Sequence, residues 1–122
     1  MKTLPDAEFE VMKIIWNNEV PITTSTIMQN LQHEKSWKVQ TLITLLNRLV
    51  SRGFLKTEKP SKERTYFPLV TEEEYLQYET KDFITRFHKN SITSVVATLA
   101  QSRQLTEDDL EELTRWLEER KE

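Results

Sequence analysis

Cysteine is absent from the 122 residues, and with it go disulfides, thiolate nucleophiles, thiol redox chemistry and every Cys-based zinc site. Glycine occurs once and proline four times, too few for long flexible linkers; Pro5, Pro21, Pro60 and Pro68 punctuate the edges of elements instead. No stretch approaches the roughly 18 apolar residues of a membrane span. The opening MKTLPDAEFEVMKIIW carries Asp6, Glu8 and Glu10 where a secretory signal needs an unbroken apolar run. A soluble cytoplasmic protein without membrane contact is the expectation. His33 and His88 are the two histidines; they lie in no HExxH pair, no glycine-rich phosphate loop accompanies them, and each reads as a surface side chain. Ser and Thr fall in no recognisable nucleophile motif. The acids at 72–74, 107–109 and 118–119 read as helix N-termini and solvated faces rather than paired catalytic carboxylates. The sequence therefore points away from an enzyme and calls for no metal and no cofactor.

What is present is charge, unevenly spread. Residues 1–70 hold 10 Lys and Arg against 7 acids, whereas residues 71–122 hold 7 against 13, so the overall −3 conceals a basic first part and an acidic second. Between Lys35 and Arg64 there are 8 basic residues and 2 acidic ones. Such a focus attracts a polyanion even though the whole chain is negative; the plainer alternative is a solvated basic surface.

Apolar spacing predicts the elements. Ala7, Val11, Ile14 and Ile15, widened by Phe9, Met12 and Trp16, make a first helix ending near Asn17. Val20-Pro21-Ile22 reads as a short extended connector, and Thr23 or Thr24 caps a second helix carrying Ile27, Met28 and Leu31. In SWKVQTLITLLNRLVSRGFL, Val39, Leu45, Leu46, Leu49 and Val50 lie within about 80° of Leu42 on a helical projection. Gln40, Thr44, Asn47, Arg48 and Ser51 fall on the opposite arc. Gly53 stops this third helix in the left-handed conformation. Leu55–Glu58 and Thr65–Leu69 follow as two strands around a basic turn with Lys59, Lys62 and Arg64. Beyond Val70 come three amphipathic helices: one capped by Thr71 with Tyr75, Tyr78, Phe83 and Phe87, one carrying Ile92, Val95, Val96 and Leu99, and one opening on Thr106 and Asp109 in capping-box spacing.

Helix, helix, helix, hairpin is the order of a winged helix-turn-helix, whose third helix enters the major groove of DNA. The expected fold is mostly α: a winged-helix DNA-binding domain with a small β-hairpin wing over 1–70, and a three-helix dimerisation domain over 71–122. Base-edge chemistry suits the polar arc. Gln40 and Asn47 can pair with adenine, Arg48 can fork onto guanine, and Thr41 and Thr44 can bring methyls to thymine. Lys38, Arg52, Lys56, Lys59, Lys62 and Arg64 suit phosphates, which fix register without reading sequence. Trp37 is expected to pack on the core. Ile92, Val95, Val96, Leu99, Leu110, Leu113, Trp116 and Leu117 offer more apolar stripe than so small a domain needs, and a homodimer would use it to set two reading helices on a palindromic duplex.

DAEFEVMKIIW, SWKVQTLITLLNRLVSRGFL, TYFPLV and LTEDDLEEL resemble the corresponding stretches of the BlaI/MecI/CopY repressors and together extend over nearly the whole chain. The resemblance implies a homodimeric repressor on a palindromic operator upstream of resistance genes, with Gln40, Thr41, Thr44 and Arg48 where family members touch DNA. Ile43 stands where some relatives carry a basic residue. Penicillinase-type repressors are inactivated by a regulatory protease at an Asn-Phe bond that corresponds here to Thr98 and Leu99, without the motif itself. Copper-responsive relatives end in CxCxxxxCxC, for which this sequence has no cysteine, so the resemblance favours the penicillinase-repressor type, a CopY-like regulator of copper-homeostasis genes being the alternative. From a different class, a winged-helix module meeting an acidic protein partner would share the same basic face.

Overall fold

Pro5 opens α1 (Asp6–Trp16), where acids in the first turn and Lys13 in the last complement the helix dipole. The structure is a computed structural model and describes residues 1–31 and 36–121; His33 and Lys35 lie outside them. Buried Glu8, Val11, Met12 and Ile15 mark the inward face of α1. After β1 (Ile22–Thr23) comes α2 (Thr24–Leu31), capped by Thr23, whose Oγ1 accepts from the Thr26 N–H at 3.2 Å.

α3 (Val39–Ser51) buries Leu42, Leu45, Leu46 and Leu49. Val39, on the apolar arc by projection, is half exposed. A projection treats the helix as endless, whereas the core covers this one from Leu42 onward. At its end the Phe54 N–H donates to the Leu49 carbonyl at 2.9 Å and the Gly53 N–H to that of Val50 at 3.1 Å. This is the Schellman pattern, with Gly53 at φ +82° supplying the left-handed residue. Phe54 and Leu49, joined by that motif, are both in the core.

β2 (Leu55–Glu58) and β3 (Thr65–Pro68) form the expected hairpin, but the sheet has three strands in the order β1-β3-β2, all antiparallel. Ile22 pairs with Tyr66 and Thr23 with Thr65. The connector before α2 is therefore a sheet edge, two residues being too few to show alternation in sequence. α1 packs on α2, α3 and β3, and Trp37 joins this core from its rim.

α4 (Glu72–His88) opens with a reciprocal cap: the Thr71 N–H donates to Glu74 Oε1 at 2.9 Å and the Glu74 N–H to Thr71 Oγ1 at 3.1 Å. By contacts the chain forms two units, Met1–Glu79 and Thr80–Glu122. The first turns of α4 belong to the first because Tyr75 is buried there, accepting from the Leu4 N–H at 2.8 Å; Trp16 Nε1 donates to the nearby Val70 carbonyl at 2.8 Å. Burial pushes the Tyr75 phenol up to about 12, with Glu79 adding to the shift, so it stays neutral. The second unit holds the rest of α4, then α5 (Ile92–Gln101), capped by Ser91, and α6 (Glu107–Arg120), opened by the Thr106–Asp109 capping box.

Candidate nucleic-acid interface

Because its leucines point inward, α3 turns Gln40, Thr41, Thr44, Asn47, Arg48 and Ser51 to solvent. The Thr44 hydroxyl donates to the Gln40 carbonyl at 3.0 Å, which leaves its methyl as the group on offer. Thr44, Asn47, Arg48, Ser51 and Arg52 border a shallow groove of about 390 Å³. Lys38 precedes the helix as its N-cap residue, and its own side chain makes no capping hydrogen bond.

On the other side of Asn47 and Ser51 runs a larger groove of about 730 Å³, walled by Ile43 and Val50 of α3, by Thr24, and by Thr57, Lys59, Lys62, Glu63, Arg64 and Tyr66 of the wing. Lys59, Lys62 and Arg64 are exposed at its rim. One wall carries hydrogen-bonding side chains on a rigid helix; the other carries cations on a hairpin. That pairing can meet base edges and backbone of one duplex together. Lys56 is engaged locally, its Nζ 3.0 Å from Glu58 Oε1 and 5.9 Å from the Phe67 ring centre.

Arg52, expected on a phosphate, also has a partner within the protein. Its Nε stands 2.8 Å from Glu8 Oε1, on a side chain only 2% exposed. The N–H does not aim squarely enough to make a hydrogen bond of this contact, so it is an ion pair between the end of α3 and the buried face of α1. Sequence reading also passed over Glu63 and Ser25. The Ser25 N–H donates to Glu63 Oε1 at 2.9 Å, and the Ser25 hydroxyl bonds the same oxygen. These bonds hold the Glu63 carboxyl below the usual carboxylate range. The available signal was a lone acid in the basic tip KPSKER.

In the second unit, α5 and α6 contain no buried residue. Ile92, Val96, Leu99, Leu110, Leu113, Trp116 and Leu117 are all exposed, and Val95 is partly covered. Thr98 Oγ1 donates to the Ser94 carbonyl at 2.9 Å, so Thr98 and Leu99 sit on helical backbone. His88 is partly covered, with Nδ1 2.9 Å from Ser94 Oγ and its ring 5.4 Å from that of Phe83. Among the described residues no three His, Asp or Glu gather as a metal would need, and no helix is long and apolar enough to cross a membrane.

Comparison with known proteins places this geometry. The family model described as penicillinase repressor matches residues 4–119. The chain is 33% identical to the penicillinase repressor of Bacillus licheniformis over 124 residues, covering 99% of this chain and 96% of that one. It is 33% identical to the methicillin resistance regulatory protein MecI of Staphylococcus aureus (strain N315) over 110 residues, 90% of this chain and 89% of the relative. Among solved structures it is similar to the DNA-binding domain of the repressor BlaI, with a TM-score of 0.53 and 35% identity over 62% of this chain and 94% of that domain. Monomeric Bacillus licheniformis BlaI in complex with the blaP half-operator matches with a TM-score of 0.51 and 34% identity over 61% and 89% of the two chains.

Proposed function

Since the chain belongs to the penicillinase repressor family, a family of transcriptional repressors rather than enzymes, we propose that it is a cytoplasmic, homodimeric repressor that occupies a palindromic operator. It uses no catalysis and no cofactor. The observation that carries the reading is the exposed row Gln40, Thr41, Thr44, Asn47 and Arg48 on a helix anchored by four buried leucines, with Asn47 and Ser51 also bordering a groove whose far wall is the basic wing. In this account α3 lies in the major groove. Gln40 and Asn47 pair with adenines, Arg48 forks onto guanine, and the Thr41 and Thr44 methyls meet thymine. Lys38, Lys59, Lys62 and Arg64 take phosphates, and Arg52, whose Nε pairs with Glu8, has its remaining guanidinium donors for one.

The apolar stripes of α5 and α6 would join two copies, so that two reading helices fall about one or a few turns of duplex apart. The names of the relatives, a penicillinase repressor and a methicillin resistance regulator, favour β-lactam resistance genes as the target. Relief by a regulatory protease would act at Thr98–Leu99, where α5 must first unwind locally for the bond to enter a protease cleft.

Titration against duplexes selected from a random pool and against scrambled ones, across salt, tests the reading. Selected sites should be symmetric and bind about a thousand-fold or more tighter than scrambled ones, with affinity falling steeply as salt rises. Equal affinity for selected and scrambled duplexes at every salt would instead favour an interaction module for an acidic protein.

A further inference from the structure

The wing tip Lys59–Arg64 holds Lys59, Lys62 and Arg64 and one acid, Glu63. By charge alone that acid works against a polyanion. Its carboxylate, however, is committed. The Ser25 N–H donates to Oε1 at 2.9 Å, the Ser25 hydroxyl donates to the same oxygen, and the two residues are 38 positions apart. Ser25 lies in the first turn of α2, where N–H groups lack partners within the helix and the dipole favours a negative charge. Held below the usual carboxylate range by these bonds, Glu63 is ionised at neutral pH and the tie persists. The tie lies beside the groove that α3 and the wing share, since Glu63 lines it together with Thr24, Lys59, Lys62 and Arg64.

We propose that Glu63 is a positioning residue for DNA binding: by fastening the wing to α2 it sets the wing cations at a fixed place relative to the reading face of α3. This deepens the DNA-binding reading and rests on it. A hairpin tip with three long cationic side chains, if untied, has to be ordered when the duplex arrives, and that ordering subtracts from affinity. Fastened beforehand, it meets the phosphates already placed.

Glu63→Gln and Glu63→Ala carry the same charge, so their comparison isolates the tie from the loss of an acid. The carboxamide oxygen of Gln still accepts from the Ser25 N–H; Ala accepts nothing. Glu63→Ala is expected to bind the selected duplex about five-fold more weakly than Glu63→Gln, with equal salt slopes. Amide hydrogen exchange over residues 59–64 should be faster in the Ala variant. Equal affinity of the two variants, or tighter binding by Glu63→Ala, overturns the proposal. A wild-type chain with no duplex preference overturns the reading beneath it, which is a distinct result.

Discussion

Arg52→Ala is expected to destabilise the first unit by about 3 kcal/mol, because it leaves the Glu8 carboxylate buried without its counter-charge. Glu8 is 2% exposed and Arg52 37%, which places the cost at the lower end for a broken buried pair: one end of it is already wet. Glu8→Gln removes the charge but keeps the shape, and should cost about 1 kcal/mol, the scale of one unmade hydrogen bond. The double variant should fall well short of the sum, since the two groups act on each other. Urea titrations of the four proteins measure all of this. The consequence is functional as well, because Arg52 is the C-cap of α3 and Glu8 lies on α1. The pair joins α3 to the core, and a midpoint for Arg52→Ala equal to that of the wild type would mean that packing alone holds α3.

Leu113→Asp is expected to yield a chain that sediments as one copy and binds a full operator about a hundred-fold or more weakly, while binding to an isolated half-site stays unchanged. The magnitude follows from losing the second, effectively intramolecular, binding event. The physical ground is that α5 and α6 carry apolar stripes with nothing buried on them, an arrangement that single chains rarely leave open to water. Sedimentation together with paired titrations on full and half sites reads both effects. A wild-type mass of one chain, or an unaltered dimer in the variant, would remove the proposed interface.

α3 is legible in sequence because its apolar residues keep a 3.6-residue period from Leu42 to Leu49 and leave an equally regular polar arc. Gly53 and the Thr106–Asp109 box are legible because turn and cap chemistry is local. The tertiary ties are not. Ser25 and Glu63 meet only once the sheet has brought the wing beside α2. β1 exists only because Ile22 and Thr23 find Tyr66 and Thr65 across the sheet. Glu8 is an intermediate case. It stands at i, with Val11, Met12 and Ile15 at i+3, i+4 and i+7, so its place on an apolar stripe already implied a buried carboxylate in need of a cation, although nothing local named Arg52. The start of α4 belongs with the first unit for a similar reason: the packing of Tyr75, not the change in charge at Val70, decides where the contacts divide.

The account stands on α3 reading base edges, and Arg48 puts that to the most direct test. Arg48 is exposed in the last turn of the helix, beside Asn47 and Ser51 on the open groove. Titrating wild type and Arg48→Ala against the selected duplex, against its single-base-pair variants and against a scrambled duplex should show a loss of about 1–3 kcal/mol on the selected site. Discrimination should relax at one base pair, and the scrambled duplex should lose far less. Unchanged affinity for the selected site in Arg48→Ala, with discrimination intact at every position, would contradict it.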